Sequence, residues 1–374
     1  GVAYARPSPD ERANYPAHSL REVAELATSP SGRTARGQRL IAAHAAALRA
    51  RPPPGAFRGE RTLVVAWNGP IYGIAWEARR PRWHLPCDVP CEWTANRSRA
   101  AEADAVAFTL DFPLPQPLPR GPARLPGQRV VAVSMENVQR RGGFYALVRG
   151  LGGADVVVTY ELDAHVPRPY IEPPFLTEHQ PPGRKTRGAA VAAFISNCRA
   201  PTPGGLDRLR VLRDLARHVP VHHYGRCDHN MDVPATGNTQ RRWGARKLEI
   251  ASQYRFLAAF ENSLALDYAS EKVYHALQAG VVPVYLGAPN IWDLLPCNRS
   301  APCVVHVAEY LDARGRVDAQ ALGAKLKALA EDEAAYAAYF RWRDGPLPEH
   351  FQQLAELNRL PAACRVCHCL RGRL

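Results

Sequence analysis

The sequence predicts an α/β protein of two domains, each built on a parallel sheet. The chain has 374 residues and 46% hydrophobic content, which is more than one core usually serves and enough to fill two. Apolar runs of strand length alternate with helical patterns along most of the chain, and this alternation is typical of parallel sheets. Residues 254–290 contain one complete strand, helix and strand in succession.

The first 60 residues are rich in alanine, arginine and proline and carry one helical pattern, from Thr34 to Leu48. This composition favours a stem or linker, residues 1–60, over a folded domain. No run of about 18 or more apolar residues occurs, and no signal-peptide pattern opens the chain. We therefore expect contact with a membrane only through an N-terminal anchor that is absent from this sequence.

Residues 61–175 are predicted to form the first domain. Its strands are short valine-rich runs at 62–67, 105–108, 129–133 and 156–159. Between them, 113–126 is too rich in proline for regular structure and is predicted to be a loop, whereas 140–151 has a helical pattern. The four prolines and the charges of residues 171–187 predict the interdomain linker.

Residues 185–345 are predicted to form the second domain, and residues 346–374 a tail with a Cys-x-x-Cys pair that packs back on the first. The second domain alternates strands and helices. The strands are expected at 189–195, 219–224, 254–260, 281–286 and 303–307, and the helices at 206–217, 245–252, from Ser270 to Gly280, and 319–340.

The strand that ends at Phe260 is followed at once by Glu261 and Asn262. Polar groups at the carboxyl end of a strand are where open α/β sheets bind ligands. Ser270 is the expected N-cap of the next helix, and Lys272 lies in its first turn. The positive end of that helix and the charge of the lysine favour an anion such as a diphosphate.

The same pattern also has a purely structural interpretation. Every doubly wound protein repeats a strand, a capped helix and a strand, and a Glu-Lys pair in a first turn is usually a solvated ion pair. On pattern alone the two interpretations stay open.

The formal net charge of +13 is carried mainly by arginine. The only lysines are Lys185, Lys247, Lys272, Lys325 and Lys327. Such a balance fits nucleic acid, an anionic membrane surface or phosphate-bearing substrates. The sequence has no basic run with interleaved aromatics, no zinc-finger spacing and no RNA-binding signature, which disfavours nucleic acid.

Nine cysteines and two Asn-x-Ser sequons bear on the cellular compartment. The first and last cysteine groups, with Cys-x3-Cys and Cys-x2-Cys spacing, also fit a zinc site. The sequons at Asn96 and Asn298 are glycosylation acceptors if the chain enters the secretory pathway. That oxidising route favours disulfides over metal.

Several short motifs together resemble the signature of α1,3-fucosyltransferases, glycosyltransferase family 10. In the signature segment these are Phe260-Glu261-Asn262-Ser263, Asp267-Tyr268, Glu271-Lys272, the run 279–284 and Gly287-Ala288-Pro289-Asn290. Upstream and in the expected order come the run 194–198, an arginine-rich helix from Leu206 and the run 224–227. Ser134-Met135-Glu136-Asn137 is similar to an element of the plant-type core enzymes. The similarity covers roughly residues 62 to 370.

The resemblance implies a GT-B fold, in which two Rossmann-like domains face a cleft. It implies inverting transfer of L-fucose from GDP-β-L-fucose to a glycan or glycoprotein acceptor in α1,3 linkage, with the innermost GlcNAc of N-glycans as the expected site. A type II membrane protein of the Golgi, with its catalytic part in the lumen, is implied as well. No cofactor is expected beyond the donor substrate, and no metal, because no Asp-x-Asp motif occurs; a divalent cation is expected at most to stimulate.

The resemblance also assigns roles to individual residues. Glu136 is the expected catalytic base, and Glu261 is expected to stabilise positive charge on the fucose ring or to order its loop. The expected donor-binding residues are Arg208 or Arg210, which the motif does not separate, with Asn262, Tyr268, Glu271 and Lys272. Arginine can hold a diphosphate by two hydrogen bonds, whereas lysine acts as a point charge.

We further expect three sets of disulfides: Cys87 and Cys91 with Cys364 and Cys367, Cys198 with Cys227, and Cys297 with Cys303. Cys369 is left over. His222, His223 and His229 lie around Cys227, but their loose spacing favours ordinary buried histidines over a metal site.

Two other functions fit parts of the sequence. A Lewis-type α1,3/4-fucosyltransferase or a transferase to a protein O-linked residue has the same donor site, since acceptor choice depends on loops of the first domain. A catalytically silent module that binds glycans or GDP-sugars is disfavoured because Glu136, Arg208, Glu271 and Lys272 are all present.

Overall fold

The structure, a computed structural model, divides into two compact units. It describes residues 20–28, 34–50, 61–68, 87–109, 125–136, 154–172, 175, 179, 181, 185–188, 190–198, 207–233 and 243–371. The first unit holds the described residues within Gln38–Pro173 and Gln353–Leu374, and the second those within Ala17–Gly37 and Pro174–Gln352. The helix predicted at 140–151, Asn137 and most of the loop predicted at 113–126 lie outside the described residues.

The described strands of the first unit form one parallel sheet. They are β1 (Thr62–Ala66), β2 (Cys91–Thr94), β3 (Ala105–Thr109), β4 (Arg129–Val133), β5 (Val156–Thr159) and β6 (Val166–Pro167), in the spatial order β2-β1-β3-β4-β5-β6. The four valine-rich strands lie where the sequence predicts them. The other two escape prediction because β2 is half-buried with the mixed sequence CEWT and β6 has only two residues.

The C-terminal helix α9 (Ala362–Leu370) packs on this sheet, in a core shared with Val64, Val131 and Val158. Two disulfides, Cys87–Cys364 and Cys91–Cys367, join it to the segment around β2. Beside them the buried His368 ring lies 2.7 Å from the buried Asp88 carboxylate. The predicted tail began at 346; the structure assigns residues from Gln353 onward to the first unit.

The second unit has its own parallel sheet of β7 (Val191–Ala193), β8 (Val221–His223), β9 (Phe256–Phe260), β10 (Val282–Leu286) and β11 (Val305–His306). Their spatial order is β11-β10-β9-β7-β8. Every residue of β9 and β10 is buried, which explains their continuous apolar sequences. The strand order reverses between β7 and β9, so this is the switch point where such sheets bind ligands.

Most helices of the second unit are shorter than the sequence patterns predict, whereas the helix predicted at 245–252 begins two residues earlier than predicted. They include α3 (Arg208–Leu215), α4 (Trp243–Ser252), α5 (Glu271–Gln278), α6 (Ala319–Glu331) and α7 (Glu333–Ala338), followed by α8 (Glu349–Glu356) at the unit boundary. The single helix predicted over 319–340 is wrong. Asp332 adopts φ −108° and ψ 99° and its side chain accepts a hydrogen bond from the Ala335 N–H, so it caps a new helix.

The segment interpreted as a stem contains packed helices, α1 (Leu20–Thr28) and α2 (Thr34–Arg49). Val23 is fully buried in the core of the second unit, and Ile41 is fully buried as well. Alanine and arginine are good helix formers, so a composition that resembles a linker also suits helices once an apolar side chain can be buried. None of the helices in the described ranges is both long and apolar enough to cross a membrane.

Described residues of the predicted linker, 171–187, make packing and hydrogen-bond contacts. Phe175 is buried in an aromatic cluster with Trp342 and Phe351. Lys185 donates hydrogen bonds to the carbonyls of Ser252 and Gly280, at 3.0 and 2.7 Å. The division between the two units falls at residues 173 and 174, inside this predicted linker.

Candidate functional site

Arg208 spans the switch point of the second sheet. It is the first residue of α3 and is only 7% exposed. Its guanidinium donates to the carbonyl of Phe260, the last residue of β9, at 3.3 Å, and to that of Asn197, just beyond β7, at 3.1 Å. A fixed arginine between the carboxyl ends of two strands places positive charge where this fold receives ligands.

The sequence around Arg208 explains its position. The side chain of Asp207 caps α3 by accepting a hydrogen bond from the Arg210 N–H, which starts the helix at Arg208. The disulfide Cys198–Cys227 joins the loops after β7 and β8. Gly225 allows the second loop to approach the first, because a Cβ there would lie 2.2 Å from the Ile195 carbonyl oxygen.

The structure separates Arg208 from Arg210, which the motif did not. Residues two positions apart in a helix are separated by about 200° around its axis, so the two arginines point in opposite directions. The Arg210 side chain is 68% exposed and forms an ion pair with Asp214. Arg208 instead follows the buried face of α3, in phase with Leu212 and Leu215. This phase was a signal already present in the sequence.

Glu261, directly after β9, is the centre of a buried polar cluster. It is fully buried, and its carboxylate accepts hydrogen bonds from the Ser270 N–H and hydroxyl and from the Lys272 ammonium, all at 2.7–3.0 Å. Gly287 makes room for it, since a Cβ there would lie 2.6 Å from Glu261 Cγ. These contacts support the loop-ordering role expected of Glu261; its part in charge stabilisation stays a prediction.

Ser270 occupies the N-cap position of α5 as predicted, but its hydroxyl does not cap the helix. It donates to Glu261 instead, and it also accepts a hydrogen bond from Lys272 at 2.7 Å. The predicted N-cap position is therefore confirmed, while the hydroxyl serves the polar cluster through a charge-assisted hydrogen bond to the buried carboxylate.

Lys272 is not the isolated point charge that the sequence suggested. Its Nζ lies 3.0 Å from Glu261 and 3.8 Å from Glu271. Burial opposes the charged form, but these two carboxylates outweigh it and raise the pKa of Lys272, while Arg208 acts in the opposite direction. The lysine is therefore permanently charged and held in place, with Arg208 close enough to repel it.

Glu271 is the more exposed member of this cluster, at 44% of its side chain. Burial raises its pKa, but Lys272, Lys247 and His275 more than compensate and hold the pKa of Glu271 at about 2. An ionised carboxylate that is half-exposed beside a lysine is suited to accept hydrogen bonds from the hydroxyls of a sugar.

The remaining predicted donor residues are placed less directly. Asn262 follows Glu261 at the same edge and is half-buried. Tyr268 is 3% exposed, which favours the packing role over stacking on a ligand.

The loop that holds Tyr268 is fixed by residues to which the sequence motif assigned no role. Asp267 has φ +61°, an unfavourable value for a non-glycine residue. Asn290 compensates, since its amide exchanges hydrogen bonds with the Asp267 N–H and carboxylate at 2.9 and 2.8 Å. Arg36 pairs with the same carboxylate at 3.7 Å, and the fully buried Asp293 accepts weakly from Asn290. Asn290 was part of the motif, but its partner could not be read from spacing.

Glu136 lies in the first unit, three residues beyond β4, at the carboxyl end of its sheet. It is half-buried, whereas Ser134 and Met135 before it are buried. The hydroxyl of Tyr170 donates to the carbonyl of Met135, and the Ser134 N–H donates to Val158 at 3.0 Å. The backbone before Glu136 is therefore held in place by these hydrogen bonds, and the role of Glu136 as the base stays a prediction.

The structure contains the four expected disulfides, including Cys297–Cys303, and Cys369 has no disulfide. Among the described residues, potential metal-ligand atoms converge at Cys87, Asp88 and Cys364. Both sulfurs belong to one disulfide and offer no thiolate, so the zinc alternative is not supported there.

The histidines around Cys227 are engaged separately. His222 hydrogen-bonds the Tyr254 hydroxyl at 2.7 Å, and His229 contacts Asp232 at 3.0 Å. Burial lowers the pKa of His223. The sequon residues Asn96 and Asn298 are exposed, and each side-chain oxygen accepts from the serine two positions on.

The model of a known family, described as "Glycosyltransferase family 10 (fucosyltransferase) C-term", matches residues 184–373. A fucosyltransferase-like protein of Arabidopsis thaliana is 31% identical over 290 residues, or 77% of this chain and 49% of that protein. GDP-fucose protein O-fucosyltransferase 3 of Gallus gallus is 37% identical over 160 residues, or 42% of this chain and 31% of that protein. The chain thus spans at most about half the length of these relatives.

Solved structures share the fold. A crystal structure of an α1,3-fucosyltransferase aligns over 89% of this chain and 96% of that chain, with a TM-score of 0.52 and 16% identity. Another, with GDP, aligns over 89% and 97% with a TM-score of 0.51 and 16% identity. The predicted GT-B class, with two Rossmann-like domains, is confirmed.

Proposed function

This chain belongs to glycosyltransferase family 10, and on that premise we propose that it transfers L-fucose from GDP-β-L-fucose to an acceptor hydroxyl with inversion. The observation that carries the proposal is the pair of cations at the switch point of the second sheet. Arg208 and Lys272 are both fixed by the protein before any ligand arrives, which is the preorganisation that a leaving diphosphate needs.

In this proposal the donor site performs two tasks. The guanidinium of Arg208 and the ammonium of Lys272 stabilise the negative charge that grows on the diphosphate as the bond from fucose C1 to the phosphate oxygen breaks. Glu271, ionised because of its cationic neighbours, accepts hydrogen bonds from the ribose hydroxyls. GDP leaves with the electron pair of the broken bond. Because these two side chains hold the diphosphate, no metal ion is needed to anchor it, and a divalent metal ion acts at most as a stimulant.

Glu136 acts as the base. Its carboxylate takes the proton of the acceptor hydroxyl while the oxygen forms the new bond to C1 on the face opposite the diphosphate. One displacement of this kind converts the β-linked donor into an α-linked product.

The acceptor we propose is the 3-hydroxyl of the innermost GlcNAc of N-glycans. The likeness of residues 134–136 to the plant-type core enzymes supports it. A Lewis-type acceptor has the same donor chemistry and is an alternative outcome of the test below.

A second candidate acceptor is a hydroxyl on a protein side chain. It is favoured by the relatives named GDP-fucose protein O-fucosyltransferase 3, of Gallus gallus and Homo sapiens, which are 37% and 36% identical over 160 residues. Incubation with GDP-fucose and either N-glycopeptides, Lewis-type glycans or unglycosylated folded domains, followed by mass spectrometry, decides between them. Addition of one deoxyhexose identifies the acceptor; no addition to any of them contradicts the proposed activity.

The base is tested by Glu136→Gln. We expect kcat to fall by about 10²–10⁴-fold, the usual contribution of a general base, with GDP affinity unchanged. Glu161→Gln is the matched control, since Glu161 also follows a strand of the first sheet but bonds Thr159 at 3.0 Å. Loss of GDP binding in Glu136→Gln would show that Glu136 supports the structure rather than the chemistry.

We also propose that the chain acts in the lumen of the Golgi. Four disulfides suit an oxidising compartment, and the exposed Asn96 and Asn298 suit glycan attachment there. Secretory expression followed by enzymatic deglycosylation should reduce the mass of the chain by one or two N-glycans, and an unchanged mass would count against it.

A further inference from the structure

Lys247 is a buried cation that neither the motif nor the resemblance assigned to any role. It lies on α4 and is only 8% exposed. Within the described part of the chain it forms no hydrogen bond and no ion pair; its Nζ instead lies 5.6 Å from the ring centre of Phe194.

Two half-buried lysines of the second unit, by contrast, have direct partners. Lys185 donates to two backbone carbonyls, of Ser252 and Gly280. Lys272 donates to Glu261 and Ser270. An ammonium removed from water without such partners is costly, and proteins usually satisfy it with an opposite charge. Lys247 differs from these two lysines because, among the described residues, its ammonium has no hydrogen-bond or ion-pair partner.

Lys247 lies beside the edge of the second sheet where ligands are expected to bind. Phe194, under its ammonium, directly follows β7 at the carboxyl edge of the sheet. Lys247 interacts electrostatically with Glu271, Lys272 and Glu261, the charged groups of the cluster beside the switch point. Glu261 is already neutralised by Lys272, so the site retains net positive charge once Arg208 is counted.

The electrostatics agree with an anion as the missing partner. Burial lowers the pKa of Lys247, and Lys272 lowers it further, while the carboxylates of Glu271 and Glu261 oppose the shift. A bound anion such as a phosphate group would favour the charged form of Lys247, because its negative charge opposes the effect of burial.

We propose that Lys247 is a third cation of the donor site and binds phosphate oxygens of a nucleoside diphosphate, together with Arg208 and Lys272. The inference rests on the proposed function for the identity of the anion, but the unpaired ammonium stands on the geometry alone. In this arrangement three cations from α3, α4 and α5 meet one diphosphate, and each helix contributes one.

The test compares Lys247→Met, which keeps the length and removes the charge, with Lys247→Arg, which keeps the charge. Calorimetry measures the affinities of GDP, guanosine and inorganic pyrophosphate. We expect Lys247→Met to bind GDP and pyrophosphate about 10–100-fold more weakly, the value of one charged hydrogen bond, with guanosine unchanged. Lys247→Arg should retain most of the affinity.

Lys185→Met is the matched control. It removes a lysine of the same unit. Its carbonyl partners, Ser252 at the end of α4 and Gly280 before β10, lie at the edge of the sheet opposite Phe194. GDP affinity should not change in this variant, even if its melting temperature falls because two carbonyls lose a donor. A parallel loss of GDP affinity would mean that any buried lysine of this unit has the same effect.

A second readout separates binding from structure. Removing an unpaired buried charge should leave the ligand-free melting temperature of Lys247→Met unchanged or raise it, whereas removing a structural lysine should lower it. Equal GDP and pyrophosphate affinities in wild type and Lys247→Met would overturn the inference and leave the proposed function intact. A wild type that binds pyrophosphate through Lys247 but not GDP would overturn the proposed donor alone, and binding of neither would overturn both.

Discussion

The ion pair between Lys272 and Glu261 makes the sharpest prediction for stability. Lys272→Met removes the ammonium that lies 3.0 Å from a fully buried carboxylate. Removing one partner of a buried pair costs about 3–5 kcal/mol, because the other charge stays buried. Lys272 is 23% exposed and Ser270 still donates to both oxygens of Glu261, so the lower value of about 3 kcal/mol applies.

The assay is thermal unfolding under non-reducing conditions, and the quantity measured is the melting temperature of the second unit. For a domain of this size, about 3 kcal/mol corresponds to a melting temperature lower by roughly 6–12 °C. The double variant Glu261→Gln with Lys272→Met should be less destabilised than Lys272→Met alone, since no charge is then left uncompensated. Lys327→Met, at an exposed position of α6, is the control for loss of a lysine.

A melting temperature for Lys272→Met within about 2 °C of wild type would refute this reasoning. So would a double variant less stable than Lys272→Met, because the pair would then stabilise through something other than charge compensation.

The two arginines of α3 and one buried carboxylate give further predictions. Arg208→Gln should lower GDP affinity by about 10–100-fold while Arg210→Gln leaves it unchanged, and calorimetry that finds equal losses would contradict the assignment of Arg208 to the site. Burial, and next to it the charge of Asp267, raise the pKa of Asp293 to about 8 against an opposing hydrogen bond from Asn290. Since this folded pKa exceeds the unfolded value of 3.8, the stabilising contribution is complete below that value and is lost as the pH rises towards 8. Asp293→Asn should therefore lose less stability than wild type between about pH 4 and 8. An equal fall in melting temperature over this pH range in both proteins would argue against a raised pKa.

Much of the fold was predictable because its signals are local. The apolar runs of β9 and β10 and the valine-rich strands of the first sheet are buried on both faces, so composition alone marks them. The edge strands β2 and β6 carry no such signal, because β2 is half-buried with a mixed sequence and β6 has only two residues. The break at Asp332 was visible only as a good N-cap residue inside a helical pattern.

The residues of the candidate site divide in the same way. Glu261, Asn262, Glu271 and Lys272 were found because strand ends and helix starts are marked in sequence. Their pairing was not, since it depends on how β9 and α5 pack across the ten residues of the loop between them. The choice of Arg208 over Arg210 followed from the phase of α3, which the sequence contains but which matters only once one face is known to meet the sheet.

By itself, the sequence determined the alternation of strands and helices and the charged residues near each strand end, because these follow from short-range pattern and composition. Only the tertiary structure decided which charges are compensated and which are left for a ligand. Lys272 and Lys247 each lie on a helix of the second unit, yet the ammonium of Lys272 contacts a carboxylate and that of Lys247 lies over an aromatic ring. The reason is physical: compensation of a buried charge depends on distances between side chains from different elements, which no local pattern encodes.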